Sequence, residues 1–125
     1  MTLTVGACGQ AELVVSDLDT AISLGTGDVA VLATPRLVQL CEQASIAALR
    51  SHLKAGQTSV GFRIELSHVA PISVGSRVIA TATLERTEGR RLIFNTSVND
   101  VCGLVAAGRV TRVLVDTESF MEKAR

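Results

Sequence analysis

The sequence predicts an α+β domain in which one long helix packs against an antiparallel sheet. Residues 34–56 have helical periodicity and recognisable ends. From residue 58 onward the pattern changes to an alternation of apolar and polar residues in four segments. Short turns join these segments, and short turns place antiparallel strands side by side. A helix and such a sheet enclose one core between two layers.

The chain has 125 residues, which predicts a single domain over residues 1–125. Lys plus Arg equals Asp plus Glu at 12 each, so no basic surface is expected to attract nucleic acid. With three Phe and no Tyr or Trp, base-stacking platforms are not expected. Mean hydropathy is +0.39 without an apolar run of membrane length, which predicts an extra buried surface, most simply a subunit interface, and no membrane partner.

The first residues lack the basic start and apolar stretch of a signal peptide, which predicts a cytoplasmic protein. Cys8, Cys41 and Cys102 are odd in number and lack the spacing of metal ligands, so we expect reduced thiols and no metal site. Cys41 lies in an apolar helical stripe, which favours a small core residue over a nucleophile.

Before the helix, residues 10–16 (QAELVVS) form a short apolar run and are predicted to be the first strand. Residues 17–28 are irregular and rich in Gly, Ser, Thr and Asp. A loop of this length before a helix often shapes a binding site. We therefore expect part of the functional site here.

The predicted helix begins with Thr34 as N-cap and Pro35 at the first helical position. It runs to Lys54, and Gly56 suits the left-handed residue beyond its end. At 100° per residue, one apolar stripe comprises Leu37, Leu40, Cys41, Ala44, Ala47 and Ala48, and a second comprises Val38, Ile46, Leu49 and Leu53.

Glu42 lies in the middle of the second apolar stripe, between Val38 and Ile46. A carboxylate there loses water, so it needs a partner or a proton. The structural interpretation is a Glu at the edge of a dimer contact. The functional interpretation is favoured, because packing alone does not call for an acid at this position.

Residues 58–68 alternate, with Val60, Phe62, Ile64 and Leu66 on one predicted face. His68 continues the parity of that face. It is therefore expected to point toward the core that covers the helix, where it and Glu42 could satisfy each other. A single His on an apolar face is more often a hydrogen-bonded core residue than a catalyst.

Three further strands are predicted at residues 77–86, 91–99 and 104–115. Val78, Ala80, Ala82 and Leu84 share a face of the first, and Leu92, Phe94, Thr96 and Val98 share a face of the second. Residues 106–108 (AAG) in the last strand predict the close approach of another backbone. The charged tail from Asp116 is expected to fray.

This pattern resembles the hotdog fold, in which an antiparallel five-stranded sheet wraps around one long central helix. The motifs are ATP at the helix start, CEQA within it, SVGF after it and LSH at the end of the next strand. They are similar to those of the fluoroacetyl-CoA thioesterase family over most of the chain. The resemblance implies Thr34, Glu42 and His68 as catalytic residues, a backbone N–H of Gly61 on the thioester carbonyl, and a homodimer with active sites at the subunit interface. By offset alone, Arg112 is expected to meet a polar acyl group.

The resemblance implies hydrolysis of a short or medium acyl-CoA thioester, with no cofactor beyond that substrate. One alternative is a non-catalytic module that binds acyl-CoA. A hotdog dehydratase ranks lower, because Glu42 has no neighbouring His before His52. Phenylalanines close a lid over fluoroacetyl in the family, but residues 23–33 contain none. Little preference for fluoroacetyl over acetyl is therefore expected. The Arg residues that would hold the CoA phosphates are not assigned.

Overall fold

The computed structural model describes residues 3–125. Its strands are β1 (Cys8–Val14), β2 (Gln57–His68), β3 (Arg77–Glu88), β4 (Arg91–Asp100) and β5 (Gly103–Asp116). Its helices are α1 (Ala21–Leu24), α2 (Thr34–Leu49) and α3 (Thr117–Glu122), and a 3-10 turn covers Asp17–Asp19. All strand pairs are antiparallel, in the order β1-β3-β4-β5-β2. The predicted α+β class and five-stranded sheet are confirmed.

Helix α2 packs mainly on β1 and β3, where its first apolar stripe is buried apart from half-buried Ala47. The predicted inward faces of β3 and β4 are confirmed, because all eight of their residues are buried. The second stripe of α2 is covered only in part. Leu49 is buried, whereas Val38 and Leu53 are half-buried and Ile46 is 42% exposed.

Strand β1 contacts α2 through Gly9. A Cβ at this position would lie 2.3 Å from the backbone nitrogen of Ala48 and 2.5 Å from the carbonyl oxygen of Ala44. Only a residue without a side chain fits there, and the small residues of α2 provide the facing surface. Gly108 has the same role between β5 and β2, since its Cβ would lie 1.9 Å from the carbonyl oxygen of Glu65. The close approach predicted at residues 106–108 is therefore present.

Both predicted ends of the long helix are corrected. Helix α2 begins one residue earlier, with Ala33 as N-cap, and Thr34 forms no cap hydrogen bond. It ends at Leu49, and Gly56 takes its positive φ of 80° in the turn before β2. The tail is also corrected, because Asp116 caps the short helix α3 through the backbone N–H of Ser119.

The predicted parity of β2 is wrong over its first half, because a bulge shifts its register against β5 between Gly61 and Arg63. After the bulge, Ile64, Leu66 and His68 are half-buried, as expected. Before it, Ser59 and Gly61 face α2. Phe62, the extra residue of the bulge, is 54% exposed, and the guanidinium of Arg91 lies 4.5 Å from the centre of its ring. One extra residue reverses the faces of a strand.

Residues 17–32, which we call the flap, form a long loop between β1 and α2. Backbone pairing holds the two ends of this loop in place. Thr20 bridges to Leu32, and Val31 bridges to Ser73. The tip at residues 22–30 is exposed. No helix within residues 3–125 is long and apolar enough to cross a membrane.

Candidate active site

Thr34 and His68 form a hydrogen-bonded pair where the start of α2 meets the end of β2. The Thr34 hydroxyl lies 2.8 Å from Nδ1 of His68, and Nε2 of His68 lies 2.9 Å from the carbonyl oxygen of Ala70. A carbonyl oxygen only accepts, so in the neutral imidazole Nε2 carries the proton and Nδ1 is the acceptor. The Thr34 hydroxyl therefore donates to His68, which has the geometry of a base facing a hydroxyl.

This pair lines a cavity of about 350 Å³ between the flap and residues 68–71. The flap side of the cavity includes Ala21, Gly27 and Val29, and the opposite side includes Val69 and Pro71. The long loop before the helix therefore does shape the cavity at Thr34, as its length predicts.

Glu42 lies at a second location, beside β2 and β5. Its carboxylate accepts a hydrogen bond from Arg112 across 3.0 Å, and the Arg112 side chain is almost completely buried. Arg112 also donates to the hydroxyl of Ser59 at 2.8 Å and to its carbonyl oxygen at 3.0 Å. A buried guanidinium needs such partners, because it remains charged. Arg112 and Ser59 together hold the Glu42 carboxylate in place.

Gly61 leaves the space that the carboxylate occupies. A Cβ there would lie 2.7 Å from Oε2 of Glu42 and 3.8 Å from Nη1 of Arg112. The β2 bulge begins at this glycine. Glu42 and Gly61 open onto a cavity of about 370 Å³, which is lined also by Phe62, Arg63 and Ile64.

The expected contact between Glu42 and His68 is wrong within one chain. The structure instead joins Thr34 to His68 and Glu42 to Arg112 and Gly61. These two groups line different cavities that share no residue. Thr34 and Glu42 are also eight residues apart on one helix, about 12 Å along its axis.

Sequence reasoning missed the Arg112–Ser59 support of Glu42. A signal was present for Arg112, since it shares the parity of Val110 and Leu114 in the last strand. That parity turns a charged residue inward, and a buried charge needs a carboxylate. No comparable signal pointed to Ser59, because the bulge sets its direction.

A second missed pair attaches the flap to α2. The Asp19 carboxylate accepts a hydrogen bond from Nε of Arg36 at 3.1 Å and others from the backbone and hydroxyl of Ser16. Partial burial alone would raise the pKa of Asp19, but the hydrogen bonds from Ser16 and Arg36 and the charge of Arg36 lower it overall. The pair lies two residues from Thr34, so it fixes the flap beside the Thr34–His68 pair.

Cys41 is a buried core residue, as expected, and burial raises the pKa of its thiol. A protonated, enclosed thiol is a poor nucleophile. Within the described part of the chain, no group of three or more His, Cys, Asp or Glu side chains is placed to hold a metal ion.

Comparisons with known proteins agree with this architecture. Residues 15–118 match the profile of the fluoroacetyl-CoA-specific thioesterase family. The fluoroacetyl-CoA thioesterase of Streptantibioticus cattleyicolor is 35% identical over 95 residues, which cover 76% of this chain and 68% of that protein.

Solved structures show the same fold. A structure of the fluoroacetyl-CoA thioesterase FlK superposes with a TM-score of 0.90 at 28% identity, covering 100% of both chains. A hot-dog-like protein from Thermanaerovibrio acidaminovorans gives a TM-score of 0.88 at 29% identity, covering 97% of this chain and 90% of that chain. The hotdog fold expected from the sequence is confirmed.

Proposed function

This chain belongs to the fluoroacetyl-CoA-specific thioesterase family and is an acyl-CoA thioesterase, and from that premise we propose that it hydrolyses short or medium acyl-CoA esters at a site shared by two subunits. The observation that carries the proposal is the Thr34–His68 pair on the wall of a cavity lined mainly by apolar residues. Hydrolysis of a thioester needs an oriented oxygen nucleophile and a group that accepts its proton. The products are the free acid and coenzyme A.

A homodimer would bring together the Thr34–His68 pair of one subunit and the Glu42–Gly61 group of the other, which lie apart within one chain. Strand β2 is an edge of the sheet, and its outer side has no partner within the described chain. Phe62 on this strand and Ile46 on α2 are 54% and 42% exposed. Glu42 lines one cavity with Phe62 and lies one helical turn from Ile46. An unpaired edge beside exposed apolar residues fits a second copy of the chain. We propose that Glu42 of the partner subunit completes the cavity at Thr34 and His68.

The residues then have distinct roles. Thr34 donates to His68, so the lone pairs of its oxygen are free to accept a hydrogen bond from the attacking water. Glu42 takes one proton from this water as the hydroxide oxygen bonds to the thioester carbon. The C–S bond breaks, and the proton on Glu42 passes to the departing sulfur. The backbone N–H of Gly61 donates to the carbonyl oxygen, whose negative charge grows in the transition state.

An alternative route has Glu42 attack the thioester carbon first and form an anhydride that water hydrolyses. The two routes differ in the fate of oxygen. After a single turnover in ¹⁸O-water, mass analysis of the protein shows label in Glu42 only if the covalent route operates.

The activity is tested by measuring the release of thiol from a panel of acyl-CoA esters. Glu42→Gln should lower kcat on the order of 10²–10⁴-fold, as the loss of a general acid–base group typically does. His68→Ala should also lower kcat strongly, because Thr34 loses the acceptor that orients its hydroxyl. Both variants should retain the fold. Binding of acyl-CoA without turnover would instead support a non-catalytic module. Full activity of Glu42→Gln would exclude the mechanism proposed here.

Mixing the two inactive variants tests whether the site is shared. If Glu42 and His68 of one site come from different subunits, a heterodimer of Glu42→Gln and His68→Ala has one intact site and one site with both changes. Random exchange makes half of all dimers mixed, so about a quarter of the wild-type activity should return. If each chain supplied a whole site, mixing would restore nothing.

We expect little preference for fluoroacetyl over acetyl, because the flap carries no Phe to close over a small acyl group. The measurement is kcat/KM for the two esters side by side. A preference for fluoroacetyl above about 10³-fold, roughly 4 kcal/mol of transition-state discrimination, would show that this reasoning is wrong.

A further inference from the structure

We propose that the preferred acyl group is an uncharged, apolar chain longer than acetyl, seated in the cavity between the flap and residues 68–71. The inference rests on the thioesterase function proposed above and specifies the substrate class of the same site. The cavity extends from the hydroxyl of Thr34 and the imidazole of His68, so an acyl group whose carbonyl carbon lies at that pair has its chain in this space.

The walls of this cavity are small and apolar. They include Ala21, Val29 and Val31 on the flap side and Val69, Ala70 and Pro71 on the other side. No large side chain among them fills the space. One carbon needs about 30 Å³, similar to the share of one molecule in liquid water. The volume of about 350 Å³ therefore has room for at most about twelve carbons, well above the two of an acetyl group. Acetyl would leave most of the apolar surface without contact.

The charge of the lining excludes acidic acyl groups. Apart from His68, none of the residues that line the cavity has an ionisable side chain. Asp28 on the flap is next in sequence to the lining residue Val29, but its side chain is exposed and does not line the cavity. A second carboxylate, as in a dicarboxylic acyl group, would lose water there without gaining a cation from the lining. The guanidinium of Arg112, which accompanies Glu42, is already paired with the Glu42 carboxylate. An alkyl chain loses nothing polar and gains burial of its methylene groups.

The base of the flap is held in place by the fold. Both ends of the flap are tied down, by the Thr20–Leu32 and Val31–Ser73 bridges and by the Asp19–Arg36 ion pair. Gly27 folds over Ala21, where a Cβ would lie 3.3 Å from the Ala21 methyl carbon. A tethered flap of this kind presents a defined apolar surface to the chain, so selectivity should follow chain length.

The first test is a chain-length series of kcat/KM with acetyl-, butyryl-, hexanoyl-, octanoyl- and dodecanoyl-CoA. Each methylene group buried in the cavity should raise kcat/KM about fourfold until the cavity is full, after which the value should stop rising. Pentanoyl-CoA should exceed succinyl-CoA by at least about 100-fold. A series that is flat or falls from acetyl onward would overturn the proposal, as would equal rates for pentanoyl and succinyl.

Variants locate the effect in this cavity. Val29→Phe and Val69→Phe place a large side chain on opposite walls and should remove the advantage of hexanoyl over acetyl. Both positions are more than half exposed, so neither change should unfold the protein. The matched control is Val101→Phe, which replaces a fully exposed valine outside the cavity and should leave the series unchanged. An unchanged series in both wall variants would place the acyl chain elsewhere.

A binding measurement separates this inference from the proposed function. Calorimetry with S-ethyl-CoA and S-hexyl-CoA, which cannot be hydrolysed, should show tighter binding of S-hexyl-CoA, and Val29→Phe should abolish the difference. If S-hexyl-CoA bound more tightly but no ester were hydrolysed, the thioesterase function would be refuted, whereas the inference of an apolar acyl ligand would stand. Hydrolysis without a chain-length preference would retain the function and overturn the inference.

Discussion

The hydroxyl of Thr34 forms a hydrogen bond with His68 in the candidate active site and does not cap the helix. A Thr at a helix start usually caps the first turn. Here the cap position belongs to Ala33, and the backbone N–H of Ala33 is bound to the carbonyl oxygen of Asp19. The Thr34 hydroxyl is therefore free to donate to Nδ1 of His68. Its loss should affect the reaction more than the stability of the helix.

Replacing Thr34 by Val tests this distinction, because Val keeps the shape and removes the hydroxyl. We expect kcat to fall about 10²-fold or more. The free energy of unfolding should fall by no more than about 1 kcal/mol, since Thr34 is exposed and a typical hydrogen bond contributes about that much. Enzyme kinetics and urea denaturation measure the two quantities. Thr34→Ser keeps the hydroxyl and should retain most of the activity. Loss of stability with an unchanged kcat would instead indicate a cap.

At the scale of elements, the flap depends on one ion pair for its position. Asp19 lies in the 3-10 turn that opens the flap, and Arg36 lies in the first turn of α2. The two side chains are 13% and 18% exposed, so solvent screens their attraction less than at an open surface. The flap and the start of α2 should therefore respond together to pH.

The pKa of Asp19 is lowered in the folded protein, so its contribution to stability is present above its ordinary value of 3.8. That contribution is lost as the pH falls through the lower folded pKa. We expect wild type to be more stable than Asp19→Asn at pH 7 and the difference to shrink below about pH 4. Urea denaturation at several pH values measures it. Asp28→Asn, on the exposed flap tip, is the control, and a pH-independent gap for Asp19→Asn would contradict the assignment.

The contact between β1 and α2 depends on the absence of a side chain at Gly9. The atoms that a Cβ would strike belong to the backbone of α2, so no side-chain rotation relieves the clash. Gly9→Ala should lower the free energy of unfolding by about 1–3 kcal/mol or more, the usual cost of overpacking. The midpoint of urea unfolding reports it. Gln10→Ala, an exposed neighbour in the same strand, should change little. Equal midpoints for the two variants would show that β1 moves away at no cost.

At the scale of the whole molecule, the exposed part of the second α2 stripe and the free edge of β2 predict a stable homodimer. Light scattering at micromolar concentration should give twice the 13.1 kDa chain mass. Ile46→Glu places a charge in the exposed stripe and should shift the mass toward the monomer and lower activity together. Val101→Glu, at a fully exposed turn, should do neither. A monomeric wild type with full activity would exclude both the dimer and the shared site.

Local periodicity was enough to predict most elements and the core. The alternating residues of β3 and β4 are buried as their spacing requires, and so is the first stripe of α2 apart from half-buried Ala47. Resemblance to a family, carried by short motifs, pointed to Thr34, Glu42, Gly61 and His68. The predicted elements and core are confirmed because helical and strand periods are properties of neighbouring residues, which a sequence displays directly. The roles of the four site residues stay predictions.

Only the tertiary structure decided which of these groups meet. Glu42 is paired with Arg112, 70 residues away, and Thr34 with His68, 34 residues away. The bulge at β2 reversed the expected faces of Ser59 and Phe62, and it placed Gly61 against Glu42. Register between distant strands depends on the packing of the whole sheet against α2, and a shift of one residue turns each side chain to the opposite face. A periodic pattern is the same on either side of such a shift. The one sign in the sequence is Gly61, because a glycine inside a strand is typical of a bulge or a close backbone contact.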